Sequence, residues 1–129
     1  MTDSTAMKHS WLLALPLFLA VPHGLPGAEV ADPVRGQRIF SACAACHTPG
    51  DPAKTGPDLR GVVGRRAGTL AGFRYSRALR TARFVWNDST LDSYFAEPQA
   101  AVPGNTMPYP GLPDAGQRLD LIAYLKTLK

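Results

Sequence analysis

At 129 residues the chain has room for one domain and a short leader, which excludes a multidomain architecture. It carries 14 Lys+Arg against 10 Asp+Glu, a formal net charge of +4, with two cysteines and three histidines. A basic balance of this kind suits an acidic protein, an anionic membrane surface or nucleic acid.

The N-terminus reads differently from the rest. Lys8 and His9 precede an apolar run, Trp11 to Val21, and Pro22, Gly24, Pro26, Gly27 and Ala28 follow it. A basic start, a short apolar stretch and a small-residue exit are the features of a secretory signal. The run is too short to cross a bilayer as a helix, which needs about 20 residues. A buried helix or an uncleaved anchor are the competing readings. Residues 1–28 are expected to be a signal peptide, cut between Ala28 and Ala31, with Met7 as an alternative start. Residues 29–129 would then be the working domain, periplasmic, monomeric and without a transmembrane segment. From Glu29 onward there are 13 basic residues (14 less Lys8) and 9 acidic ones (10 less Asp3), again +4. Export removes nucleic acid from the partners.

A mature chain of about 100 residues buries only a modest core. A tightly held cofactor would add to it. Asp32-Pro33 has the form of a helix start, with Asp as cap and Pro at the first helical position. The helix would run through Phe40 toward Cys46, with Ile39, Phe40 and Cys43 on one face. From His47 to Tyr75 the chain is rich in Gly and Pro and shows neither helical nor strand periodicity. So long a structureless stretch is unusual in a small domain, unless it wraps a bound group. Ser76 to Ala82 can form a short helix. Asp88 or Ser89 can cap another over Thr90 to Ala96, stopped by Pro98. Pro98 to Pro113 reads as a loop. Asp114 can cap a last helix in which Leu121, Tyr124, Leu125 and Leu128 form one apolar stripe. The fold class expected is all-α: terminal helices packed together, smaller helices between them, and long loops.

Cys43-Ala-Ala-Cys46-His47 is the chemical centre of the sequence. Two thiols at this spacing near a helix end can add to the two vinyl groups of one haem, and the adjacent histidine then lies under the iron. The pattern reads as c-type haem attachment. A thioredoxin-like dithiol shares the spacing but needs a βαβ setting. A structural zinc site needs four ligands, and beyond this motif the chain from Glu29 has no cysteine and no histidine. A plain disulfide leaves His47 unexplained. For a second axial ligand the candidate is Met107, the one methionine after Met7. It lies in a loop framed by Pro103 and Pro108, where prior restriction lowers the cost of fixing it. A lone methionine is otherwise a core residue. With His47 and Met107 both on iron, no position is left for substrate, which points to electron transfer.

Several motifs stand in order along the chain: Gly36-Gln-Arg-Ile-Phe40, Cys43 to Thr48, Lys54-Thr-Gly-Pro-Asp-Leu59, Gly61 to Gly68, Gly72-Phe-Arg-Tyr-Ser76, Trp86, Glu97-Pro98, Pro103-Gly104 before Met107, and Asp120-Leu-Ile-Ala-Tyr-Leu-Lys126. On these residues the sequence resembles the class I cytochromes c, in the branch of mitochondrial cytochrome c and bacterial cytochrome c2. The resemblance runs from about Val34 to Lys126. It implies a small cytochrome c fold around one covalent haem c, held by Cys43 and Cys46 and ligated by His47 and Met107. It implies that the Pro57 carbonyl meets the His47 ring, and that Arg65, Tyr75 and Trp86 lie near the propionates. Tyr94 would stand beside Met107, and Gly36 and Phe40 would meet Leu121 and Tyr124 where the terminal helices cross. Asn105 takes a pocket position where that branch carries threonine near a propionate. Leu79 replaces a familiar asparagine, and the usual lysines around Met107 are missing. Positive charge is instead mainly arginine, displaced toward residues 60–83.

The function this implies is a soluble one-electron carrier and not an enzyme. Its partners would be a quinol–cytochrome c oxidoreductase on one side and a terminal oxidase, a reaction centre or a periplasmic reductase on the other. A haem c subunit dedicated to one dehydrogenase or reductase, a haem peroxidase, and a haem-based sensor are the alternatives. A peroxidase wants distal acid–base groups, and no second histidine follows His47.

Overall fold

The computed structural model describes Met1, residues 29–51 and residues 55–129. Residues 2–28 of the expected signal peptide, and Lys54, lie outside the described residues. Among the described residues five helices make the frame: α1 (Pro33–Ala44), α2 (Arg77–Thr81), α3 (Asp88–Ala96), α4 (Pro98–Ala101) and α5 (Ala115–Leu125). Among the described residues there is no strand, and the β pairing amounts to an isolated antiparallel bridge between Arg66 and Val85. The chain is all-α, as expected.

Local chemistry sets most helix starts. The Asp32 carboxylate accepts from the Val34 amide at 2.8 Å, and Pro33 opens α1 without needing its missing N–H. Ser76 caps α2 at the Leu79 amide, and Asp114 caps α5 at the Gln117 amide, 2.7 Å away. The start of α3 departs from expectation. Its cap is Asn87, not Asp88 or Ser89, because the Asn87 amide oxygen accepts from Thr90 N while the Thr90 hydroxyl accepts from Asn87 N, both at 2.9 Å. This reciprocal pair satisfies two orphan donors together. Pro98 also does more than end a helix. The Glu97 amide closes α3 on the Ser93 carbonyl, and Pro98 then opens the single turn of α4 inside the segment expected to be loop.

The terminal helices α1 and α5 form the principal helix pair. Gly36 is buried at their crossing, and a Cβ there would collide with the Asp120 carbonyl and Tyr124. Only glycine allows so close an approach. One turn on, the Phe40 and Tyr124 rings meet with centroids 5.2 Å apart. Asp120 is 4 % exposed, and its carboxylate is bonded. It accepts from the Asp32 amide at 2.7 Å and from Arg35 Nε at 2.6 Å and Nη2 at 2.9 Å. The Arg35 guanidinium, with the Asp32 amide, holds its carboxyl below the ordinary range against the opposing effect of burial. Leu121, Ile122 and Leu125 of α5 join Phe40, Leu91, Tyr94 and Trp86 in the core. Each such side chain contributes about 1.5–3 kcal/mol when fully buried. Arg118 ties α5 to α3 and to the loop before it, donating to Asp92 and to the Leu112 and Pro113 carbonyls. The core is thus built on one side of a cavity whose other walls are loops.

Candidate functional site

The end of α1 delivers the first half of the site. Cys43 lies in its last turn, and the Cys46 and His47 amides both donate to the Cys43 carbonyl, at 3.0 and 2.9 Å. The chain therefore keeps turning as it leaves the helix, and Cys43, Cys46 and His47 all line one cavity. Both thiols are free and half-buried. Burial, with a smaller push from Cys46, raises the Cys43 thiol. A dithiol nucleophile uses the opposite shift.

His47 is fixed by the loop that follows. Its Nδ1 lies 2.8 Å from the Pro57 carbonyl. A carbonyl can only accept, so Nδ1 carries the proton, and in the neutral ring Nε2 is the nitrogen with the lone pair. The bond thereby fixes the orientation of the ring as a ligand. Gly56, whose amide donates to the Cys46 carbonyl at 2.8 Å, lies against the His47 ring so closely that a Cβ would overlap it. Asp58 then staples the loop. Its carboxylate accepts from the Gly50 amide and from the Arg60 amide and guanidinium, at 2.6–2.9 Å. Hydrogen bonding to Arg60 holds that carboxyl down to about 2.

The second half comes from the segment between α4 and α5. Asn105 is buried, and its amide is fully used: Nδ2 donates to the Pro98 and Val102 carbonyls, and Oδ1 accepts from the Met107 amide at 3.0 Å. Met107 lines the same cavity as Cys43 and His47, and the Tyr94 hydroxyl points to its Sδ at 4.0 Å. Burial pushes the Tyr94 phenol up to about 12. It therefore remains a donor at any ordinary pH. Trp86 stands edge-on between Phe84 and Tyr94, at 4.8 and 4.9 Å. Tyr75, buried, meets Phe73 at 4.8 Å. Burial raises its phenol, and the nearby Arg65 charge partly offsets this.

Of the residues singled out in the sequence, Cys43, Cys46, His47, Pro57, Tyr75, Trp86, Tyr94 and Met107 line one cavity of about 280 Å³. Arg65 and Asn105 do not. The Arg65 guanidinium donates to the Arg60 and Asp58 carbonyls, so it braces the loop behind the wall. Asn105 shapes the Met107 loop, and Thr106 takes the lining position beside it. Arg74, Ser76, Leu79 and Tyr109 also line the cavity. Of these, the sequence had marked only Leu79 as a pocket residue. The rest sit in loops, where no periodicity marks which side chain turns inward.

The donor set fits a haem. Two thiols, an imidazole with a bare Nε2 and a thioether face a space walled by Phe40, Leu91, Leu121 and Leu125. Among the described residues no group of three or more His, Cys, Asp and Glu side chains gathers to hold a metal ion.

The comparisons with known proteins agree. The family description "Cytochrome c" matches residues 33–129. The chain is 44% identical over 100 residues to a cytochrome c2 of Rhodoblastus acidophilus, covering 76% of this chain and 94% of that protein. It is 46% identical over 104 residues to a cytochrome c2 of Rhodopila globiformis, covering 79% and 98%. The solved structure of cytochrome cH from Methylobacterium extorquens superposes with a TM-score of 0.72 at 39% identity, covering 75% of this chain and 99% of that one. With the family matched from α1 to the last residue, the chain belongs to the cytochrome c family of haem electron carriers, and its cofactor is a covalently bound haem c.

Proposed function

We propose that the chain is an exported one-electron carrier of the periplasm, with Cys43 and Cys46 holding the haem and His47 and Met107 as its two axial ligands. The observation that carries this reading is the convergence of all four side chains on one cavity, with His47 Nε2 left bare by the bond to Pro57. When bound, the haem supplies a metal that alternates between ferrous and ferric states, and thioether ligation favours the ferrous one. The chain supplies the rest. Pro57 and Gly56 keep the imidazole in place, Tyr94 and Asn105 keep the thioether in place, and the apolar walls exclude water. With His47 and Met107 both holding the group, substrate chemistry would have no entry, and the role would be transfer between partners. The donor is a membrane quinol–cytochrome c oxidoreductase. The acceptor is a terminal oxidase, a photosynthetic reaction centre or a periplasmic reductase. Among the described residues no helix is long and apolar enough to cross a membrane. Residues 1–28 are the export signal, which N-terminal sequencing of the periplasmic protein checks.

The test is spectroscopic. A pyridine haemochrome assay on the purified protein should report two thioether bonds to one haem. Carbon monoxide added to the reduced protein should bind slowly and incompletely, because Met107 must leave first. Rapid, complete binding sinks the six-coordinate carrier. A Met107→Ala variant with an unchanged spectrum and potential removes Met107 as the ligand.

A further inference from the structure

The two propionates of a haem are ionised carboxylates, and such groups are costly to hold beside apolar walls unless they are paired. Among the described residues lining this cavity there is no Asp and no Glu, and besides His47 the one basic side chain is Arg74. Arg74 is exposed, so it stands at the rim, and it makes no hydrogen bond or ion pair with the described residues. The other arginines nearby, Arg65 and Arg80, do not line the cavity. Arg65 donates to the Asp58 and Arg60 carbonyls, and Arg80 donates to the Tyr75 carbonyl at 2.6 Å. Asn105 has no free amide hydrogen, since both go to backbone carbonyls. Leu79 presents hydrocarbon to the cavity. Tyr75 and Trp86 offer neutral donors without charge. The backbone that carries Arg74 is held on both sides, since Phe73 and Tyr75 pack edge to face and the Tyr75 carbonyl is the one bonded by Arg80.

We propose that Arg74, at the rim of the cavity, pairs with a haem propionate and so biases the haem toward its reduced state. A planar guanidinium can meet a carboxylate through two parallel hydrogen bonds. A fixed positive charge near the iron opposes the gain of a further positive charge on oxidation. The inference rests on the haem reading of the cavity.

The experiment uses the purified holoprotein and its Arg74→Gln, Arg74→Lys and Arg77→Gln variants. Arg77 is an exposed cation that does not line the cavity, so it controls for net charge. The readouts are the ferrous-to-ferric ratio at fixed applied potential and the carboxylate bands of the redox infrared difference spectrum. Arg74→Gln should lower the ratio about threefold and shift the carboxylate bands. Arg74→Lys should fall between it and the parent. Arg77→Gln should change neither. Equal shifts from Arg74→Gln and Arg77→Gln, or carboxylate bands that Arg74→Gln leaves in place, overturn the pairing. A haemochrome assay on each sample separates the two levels: a parent protein without thioether-linked haem overturns the cavity reading and this inference together, whereas intact haem with an unmoved potential overturns the role of Arg74 alone.

Discussion

Gly56 stands so close to the His47 ring that its missing side chain is part of the site. Gly56→Ala should tilt the ring away from the Pro57 carbonyl and cost about 1–3 kcal/mol, the usual range for forcing an extra carbon into a packed site. The check is thermal unfolding together with the imidazole Nδ1 proton signal, which should lose its hydrogen-bonded position. Asp120 sets a second expectation. Its folded-state carboxyl lies below the ordinary value, so its contribution is complete above the unfolded pKa, near 3.9, and is lost as pH falls through the folded one. Asp58, held to about 2, follows the same direction. Asp120→Asn should therefore destabilise by about 1–3 kcal/mol at pH 7, and the difference from the parent should shrink below about pH 4. Urea titrations across that range would show it; a gap that widened in acid would contradict it. At this scale the proposed ligands His47 and Met107 stood out in the sequence because the chain from Glu29 offers one of each. Arg74 and Tyr109 were not, because a loop side chain's direction depends on turns that the sequence does not mark.

The segment carrying Met107 owes its shape to one buried amide. Asn105 closes the turn after α4 and hands its oxygen to the Met107 backbone. The resemblance suggested a propionate contact at that position, and the side chain is spent on carbonyls instead. Asn105→Ala would leave buried carbonyls short of partners and should cost about 2–3 kcal/mol. For a domain near this size that is a drop of about 8–24 °C in Tm. The Met107 methyl resonance of the reduced protein should broaden as the loop loosens; an unchanged line and Tm would show that the loop holds itself. The helices were readable where one strong cap stands alone, as with Asp32, Ser76 and Asp114. At α3 three residues in a row, Asn87, Asp88 and Ser89, can all cap, and the choice falls to the one whose partner Thr90 reaches back. α4 was hidden because a proline that stops one helix can also open the next.

Across the whole molecule the expectation of terminal helices packed together held, since the apolar stripe of α5 is a periodic signal. The charge distribution bears on the proposed traffic. Arg66 and Arg83 are exposed, near the bridge that joins their segments, and add to a net positive domain. Electron exchange with an acidic redox partner should be fast at low salt and fall at least tenfold as ionic strength rises, measured by stopped-flow mixing with the membrane complex. A rate flat with salt would remove electrostatic steering. The crossing of α1 with α5 has a further consequence, in time. Most helical domains gather contacts between neighbours in sequence and fold within microseconds to milliseconds. Here Asp32 meets Asp120 across 88 residues, so the main helix contact is rewarded only after nearly the whole chain has closed on itself. The meeting of α1 with α5 should therefore be a late and slow contact in folding, and a Gly36 substitution that blocks it should slow refolding followed by stopped-flow fluorescence.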